Sequence, residues 1–203
     1  MLRIRRLLLC CAFLGLVPTS YATDLLLNPG SGSTNTSSHN NTLGYDFTVG
    51  ANPLLVTALG AYRYQGFSST DVGLWDTLGN LLTMATVLDP GGPGSFAFAN
   101  LNVPVLLLPG QTYVLGVHDP VGAGLVINGF GQTAFDGSNV TVNEDRFVIG
   151  SGFAFPGTSD GMTESYVGPN ARYTVEAVPE PASLLLIVVG GAAVILKRRL
   201  RRS

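Results

Sequence analysis

Tyr45, Phe47 and Val49 alternate with Asp46 and Thr48. That two-residue period predicts a strand with one buried face and one polar face. The period recurs through the middle of the chain. Leu54 to Tyr64, opened by Pro53, predicts a strand on which Val56, Ala58, Tyr62 and Tyr64 share a face. Asp71 to Trp75 and Leu81 to Val87 predict a hairpin, because Gly79 and Asn80 in the joint tolerate positive φ. Leu74, Trp75, Leu82 and Met84 would gather apolar bulk around that turn. Phe96 to Leu101 and Val103 to Leu108 predict two more strands, with Pro104 marking an edge or a bulge. Gln111 to His118 alternates through Tyr113, Leu115 and Val117. Leu125 to Ile127, Arg146 to Ile149 and Ala171 to Val178 complete the series. No window in this middle part sustains a helical period. Roughly eight to ten strands in about 135 residues predict an all-β fold, an antiparallel β-sandwich of immunoglobulin-like or jelly-roll type.

At both ends the alternation gives way to continuous apolar runs. Arg3, Arg5 and Arg6 precede the run Leu7 to Val17, Pro18 breaks it, and Ser20-Tyr21-Ala22 supplies small residues for cleavage between Ala22 and Thr23. Residues 1–22 therefore read as a secretory signal peptide. The only two cysteines, Cys10 and Cys11, leave with it. The mature chain is then expected to hold no disulfide and no cysteine-based metal site.

The other end has three parts. Val178-Pro179-Glu180-Pro181 comes first, then fifteen uncharged residues, 182–196, then the basic end 197–203 with Lys197, Arg198, Arg199, Arg201 and Arg202. Fifteen helical residues rise about 22 Å against a hydrocarbon core of about 30 Å. Nine of them are Leu, Ile or Val, and the long basic side chains extend the effective span. One C-terminal transmembrane helix is expected, with the basic cluster held in the cytoplasm. The Pro-Glu-Pro motif, short apolar helix and terminal cations together resemble the PEP-CTERM sorting signal of Gram-negative bacteria. The resemblance covers about an eighth of the chain. It implies an exosortase-type membrane enzyme as partner, after signal peptidase has acted. The tail would hold the chain in the inner membrane until processing at or near 178–181, which delivers it to the cell surface or an exopolysaccharide matrix.

Between these ends the charge is one-sided. Residues 23–178 carry three arginines, Arg63, Arg146 and Arg172, against twelve acids, a net charge of −9. Such a domain repels nucleic acid and anionic membranes. Glycine (26) and proline (12) are abundant over the 203 residues, which favours turns over long helices. Residues 23–42 are rich in Ser, Asn and Gly and read as a linker or a surface loop, leaving 43–178 as the β-sandwich domain. Leu25 to Leu27 can form a short strand, which would make the polar stretch a loop within the domain.

A second resemblance lies in the middle. Phe47-Thr48-Val49, Val56-Thr57-Ala58-Leu59-Gly60, the stretch from Val72 to Leu82 and Leu108-Pro109-Gly110-Gln111-Thr112-Tyr113 are similar to the DUF4082-type β-sandwich of secreted bacterial proteins. The likeness implies the fold and no activity.

Candidate chemistry is sparse. Gly157-Thr158-Ser159-Asp160-Gly161 matches G-x-S-x-G, but no helix signal follows it and no histidine lies downstream, so a turn is expected. His118-Asp119 closes a strand, and with His39 the only other histidine a zinc site is poorly supplied. Asp136-Gly137-Ser138-Asn139 and Asn143-Glu144-Asp145 are acidic loops of the kind that supply calcium oxygens or simply form solvated turns. Tyr62, Tyr64, Phe67 and Trp75 could stack on sugar rings or fill the core. No catalytic residue, metal site or cofactor is assigned. The expectation is a non-enzymatic surface or matrix protein with a structural, adhesive or carbohydrate-contacting role; the alternative is a surface hydrolase with an unrecognised active site.

Overall fold

The computed structural model describes residues 21–30, 39–63, 69–89, 94–121, 133–162 and 166–177. Eleven strands follow one another: β1 (Thr23–Asp24), β2 (Leu26–Asn28), β3 (Asn41–Val49), β4 (Leu54–Arg63), β5 (Ser69–Asp76), β6 (Leu81–Leu88), β7 (Ser95–Leu107), β8 (Thr112–Asp119), β9 (Ala134–Phe135), β10 (Val140–Val148) and β11 (Pro169–Val175). All pairings are antiparallel, and no helix occurs among the described residues. A four-stranded sheet runs β1-β11-β4-β7, a five-stranded sheet runs β10-β3-β8-β5-β6, and β2 pairs with β9.

The two larger sheets close on one core. Leu43, Tyr45, Phe47 and Val49 of β3 enter it, with Val72 and Leu74 of β5 and Tyr113, Leu115 and Val117 of β8. Facing them are Leu54, Val56, Leu59 and Ala61 of β4, Leu107 of β7, and Ala171 and Tyr173 of β11. This is the predicted alternation of β3 and β8 converted into burial.

Three expectations change. The sandwich begins at Thr23, not at residue 43. Leu25 and Leu26 are buried, and the Asn170 side chain clamps Leu26, accepting from its N–H at 2.8 Å and donating to its carbonyl at 2.9 Å. On β4 the shared face breaks at Thr57. Val56 pairs with Tyr173 and Ala58 with Arg172, so Thr57 is an extra residue. A one-residue bulge moves every later side chain to the opposite face. Leu59 and Ala61 therefore point into the core, and Tyr62 points outward. The two strands expected across 96–108 are one, β7, whose ladder with β4 lapses between Asn100 and Val105 around Pro104. Proline lacks the N–H the ladder needs there.

The β5–β6 hairpin forms as expected. Asp76 accepts hydrogen bonds from the Leu78 and Asn80 N–H groups and the Asn80 side chain, and Gly79 sits at φ 88°. Leu82 and Met84 do not join its apolar cluster; they are exposed on β6.

Residues 1–20, 64–68 and 122–132 lie outside the described residues, as does the tail from residue 178. The signal peptide, Tyr64, Phe67, the 125–127 strand, the 178–181 motif, the apolar span and the basic anchor fall there. No helix among the described residues is long and apolar enough to cross a membrane.

Candidate functional site

The outer face of the five-stranded sheet is covered. Gly44, Gly116 and Gly73 stand side by side across β3, β8 and β5, leaving a trough without side chains. Trp75 lies in it. A Cβ on Gly73 would come within 2.3 Å of the indole, and one on Gly116 within 3.3 Å. Phe153 and Phe155 pack on Trp75 at ring-centroid distances of 5.4 and 6.3 Å. The segment carrying them is pinned to β3. The Thr42 hydroxyl donates to the Gly152 carbonyl at 2.7 Å and accepts from the Ala154 N–H at 3.0 Å. Trp75 is thus 3% exposed in a second, smaller core, and it offers no face to a sugar.

The outer face of the four-stranded sheet is only partly covered, with Tyr62 and Phe96 packed against buried Leu26 and Val167. The Thr57 bulge that turns Tyr62 outward sets it beside Phe96, directly opposite on β7, with ring centroids 5.1 Å apart. Phe98 continues the row at 6.0 Å from Phe96. Its ring lies over Gly60, where a Cβ would come within 2.6 Å of it. The Arg172 guanidinium sits 4.1 Å from the Phe98 ring centroid, an attraction of cation to ring quadrupole. Asp24 fixes it, accepting from Arg172 Nε at 2.8 Å and Nη2 at 3.4 Å. Asp24, Arg172, Thr23, Ala22 and Leu27 line a shallow concavity of about 550 Å³. Three half-buried rings, a forked cation and a carboxylate thus share one partly exposed sheet face. Of the four aromatics singled out from sequence, Tyr62 is found there and Trp75 is not, while Tyr64 and Phe67 lie outside the described residues. Phe96 and Phe98 alternate with the core-facing Ala97 and Ala99 of β7 and so leave that strand on the outer face, while the bulge on β4 brings Tyr62 to them.

The other candidates resolve into local structure. The Asp136 carboxylate receives hydrogen bonds from the Ser138 N–H, the Asn139 side chain and the Tyr173 hydroxyl. Burial works to raise its pKa, but the bonds from Tyr173, Asn139 and Ser138 outweigh burial and hold it below the usual carboxylate range. Burial, then the Asp136 carboxylate, raises the Tyr173 phenol. This is a structural turn. Asp46 is ion-paired to Arg146 at 2.5 Å, tying β10 to β3. Ser159 is not on a nucleophile elbow: among the described residues no helix follows it, and its hydroxyl donates to Asp145 at 3.2 Å while accepting from the Gly161 N–H at 2.9 Å. Asp145, read as part of a solvated loop, is fully buried. Burial, then the neighbouring Asp160 carboxyl, pushes its pKa up to about 6.

A family model described as a domain of unknown function, DUF4082, matches residues 27–167. The chain belongs to the DUF4082 family. The match starts inside β2 and takes in both sheets up to β11, consistent with a sandwich that begins before residue 43. A second model, the PEP-CTERM protein-sorting motif, matches residues 177–202. No curated protein matches the chain. The sorting motif makes this DUF4082 protein an exported, exosortase-sorted product of a Gram-negative bacterium, with its sandwich joined directly to the signal: β11 ends at Val175, two residues before the motif match. In cells with an exosortase, an epitope before Val178 and another after Ser203 are expected to part on immunoblots, and to stay on one chain without the enzyme. Pro179→Ala with Glu180→Ala should keep them joined in the membrane fraction. Epitopes that stay joined in exosortase-positive cells would make the tail a simple anchor.

Proposed function

We propose that this DUF4082 protein is a non-enzymatic surface or matrix module that contacts neutral polysaccharide through the outer face of its four-stranded sheet. Signal peptidase removes residues 1–22, exosortase acts at Val178-Pro179-Glu180-Pro181, and the sandwich remains at the cell surface or in exopolysaccharide. The observation that carries this reading is the Tyr62–Phe96–Phe98 row with Arg172 clamped over Phe98 by Asp24. Aromatic rings give a sugar's C–H face an apolar contact that costs little conformational entropy. Asp24 accepts from hydroxyls and Arg172 donates to them. Cleavage after Ala22 would leave Thr23, with a new ammonium group, at the rim of the concavity. The acidic domain disfavours anionic polymers.

The test is a glycan array probed with the exported chain, followed by titration of the best neutral glycan. Arg172→Ala and Phe98→Ala should each weaken binding at least about tenfold, a loss of about 1.4 kcal/mol. Exposed Leu78→Ala in the hairpin turn should leave binding unchanged. Binding that survives both platform substitutions, or release of reducing ends on incubation, would overturn the reading. The second outcome would favour the hydrolase instead.

A further inference from the structure

Asp145 follows a bulge in β10. The ladder to β3 holds at Val142–Phe47 and resumes at Asp145–Tyr45, with Asn143 and Glu144 unpaired between them. Beyond β10 the chain returns alongside it, Phe147 and Thr158 exchanging backbone hydrogen bonds at 2.8 and 3.1 Å. That return wraps residues 159–162 around Asp145. Its N–H donates to the Met162 carbonyl at 2.6 Å. Its Oδ1 accepts from the Ser159 hydroxyl at 3.2 Å and the Asp160 N–H at 3.3 Å. Its Oδ2 is buried with no hydrogen-bond partner. Asp160, whose N–H reaches Asp145, has its own Oδ1 oriented by the Met162 N–H at 3.1 Å.

Two acids share this turn, one fully buried and one exposed, with no basic residue among their hydrogen-bond partners. An unpaired buried carboxylate oxygen is costly and calls for a compensating group. Arg146, one residue along β10, does not serve. Side chains alternate across a strand, and its guanidinium is engaged with Asp46 on the outer face of the sheet.

We infer that Asp145 and Asp160 hold a divalent cation, with Ca²⁺ the ion their all-oxygen chemistry fits. Asp145 Oδ2 and an Asp160 oxygen are the charged ligands. The Ser159 hydroxyl, backbone carbonyls of the 159–162 turn and water complete a shell of the kind calcium takes from exposed loops. Among the described residues no third acidic or histidine side chain joins the pair. Two charges and an open side suit the weak affinities of extracellular calcium modules, about 0.1–1 mM. An exported domain meets calcium at such concentrations. The ion would fasten the 149–162 segment, which also carries Phe153 and Phe155 over Trp75, so binding would stiffen the cover of the second core. This inference is independent of the carbohydrate platform on the opposite sheet.

Tyr166 supplies a local reporter. Its ring packs edge-on against Phe147 at 5.7 Å, and Phe147 leaves β10 on the same side as Asp145, two residues away; burial, then the charges of Asp145 and Asp160, raises its phenol pKa. Tb³⁺ bound there should emit on excitation of tyrosine. With the full chain in detergent, Tb³⁺ should give sensitised emission that Ca²⁺ competes away. Calcium at about 10 mM should raise the melting midpoint by about 3–8 °C over EDTA-treated protein. Asp145→Asn and Asp160→Asn should abolish both effects, while Glu144→Gln keeps them. Tyr166→Phe should lose most of the emission yet keep the calcium shift, which locates the ion even if an aspartate variant folds poorly. A midpoint indifferent to calcium and EDTA, without sensitised emission, overturns the site and leaves the two carboxyls sharing a proton. A calcium shift that survives both aspartate substitutions, or emission undiminished in Tyr166→Phe, overturns it by placing the ion elsewhere.

Discussion

Gly44→Ala should leave no stably folded protein. A Cβ at residue 44 would stand 1.9 Å from the Leu115 carbonyl oxygen and 2.8 Å from the Gly116 Cα. Both are backbone atoms of β8, the strand paired with β3 over eight residues from Asn41 to Thr48. Rotamer changes cannot relieve such a contact; the two strands must part. The strands are the centre of the five-stranded sheet and carry Leu43, Tyr45, Phe47, Leu115 and Val117 into the core, so parting them opens the core as well. A one-methyl insertion ordinarily costs about 1–3 kcal/mol. Here the loss should exceed about 4 kcal/mol, a large fraction of the stability of a single domain. Far-ultraviolet circular dichroism with thermal melting is the measurement. Gly137→Ala is the control, because a Cβ there meets nothing within 4 Å. A cooperative Gly44→Ala transition within about 2 °C of the parent would show that β3 and β8 are not packed this closely.

Trp75→Ala should cost about 3–5 kcal/mol, a fall of roughly 10 °C in melting midpoint. The indole fills the trough above Gly73 and Gly116 and is the surface against which Phe153 and Phe155 pack. Its removal leaves a cavity that three glycines cannot fill. Because Trp75 is the chain's single tryptophan, its fluorescence reports its own environment. The parent should emit to the blue and resist aqueous quenchers. Trp75→Phe should recover part of the stability. An unchanged midpoint, with red-shifted and readily quenched emission, would put Trp75 on the surface and return it to the list of sugar-stacking rings.

The two substitutions act on one device, a glycine row roofed by a tryptophan. Its parts are separately visible in the sequence, yet their association is not. Gly44, Gly73 and Gly116 lie on three strands, and only the inter-strand register sets them abreast. A sequence pattern reports the period of each strand but not its offset against the next. For the same reason Trp75 reads as core when counted with Leu74, although consecutive strand residues face opposite ways. Leu74 enters the main core, and Trp75 the trough behind it.

What the sequence determined by itself was local or terminal. The alternation in β3 and β8, the Asp76–Asn80 turn and the Pro-Glu-Pro tail with its cations each rest on residues close in the chain, so each could be read without knowing what packs against it. Family membership of the middle was legible for a similar reason, since its motifs are contiguous. What only the tertiary structure decided depended on pairing between distant segments. The Thr57 bulge, seen only against β11 and β7, turned Tyr62 outward and brought it to Phe96, while Arg172 arrived from more than 70 residues away to cover Phe98. Asp145 looked like one acid in a solvated loop until the returning chain buried it against Asp160. In a sandwich whose neighbouring strands are mostly distant in sequence, alternation says which residues leave a strand on the same side. Register and bulges, set by packing across the whole sheet, decide what those residues meet.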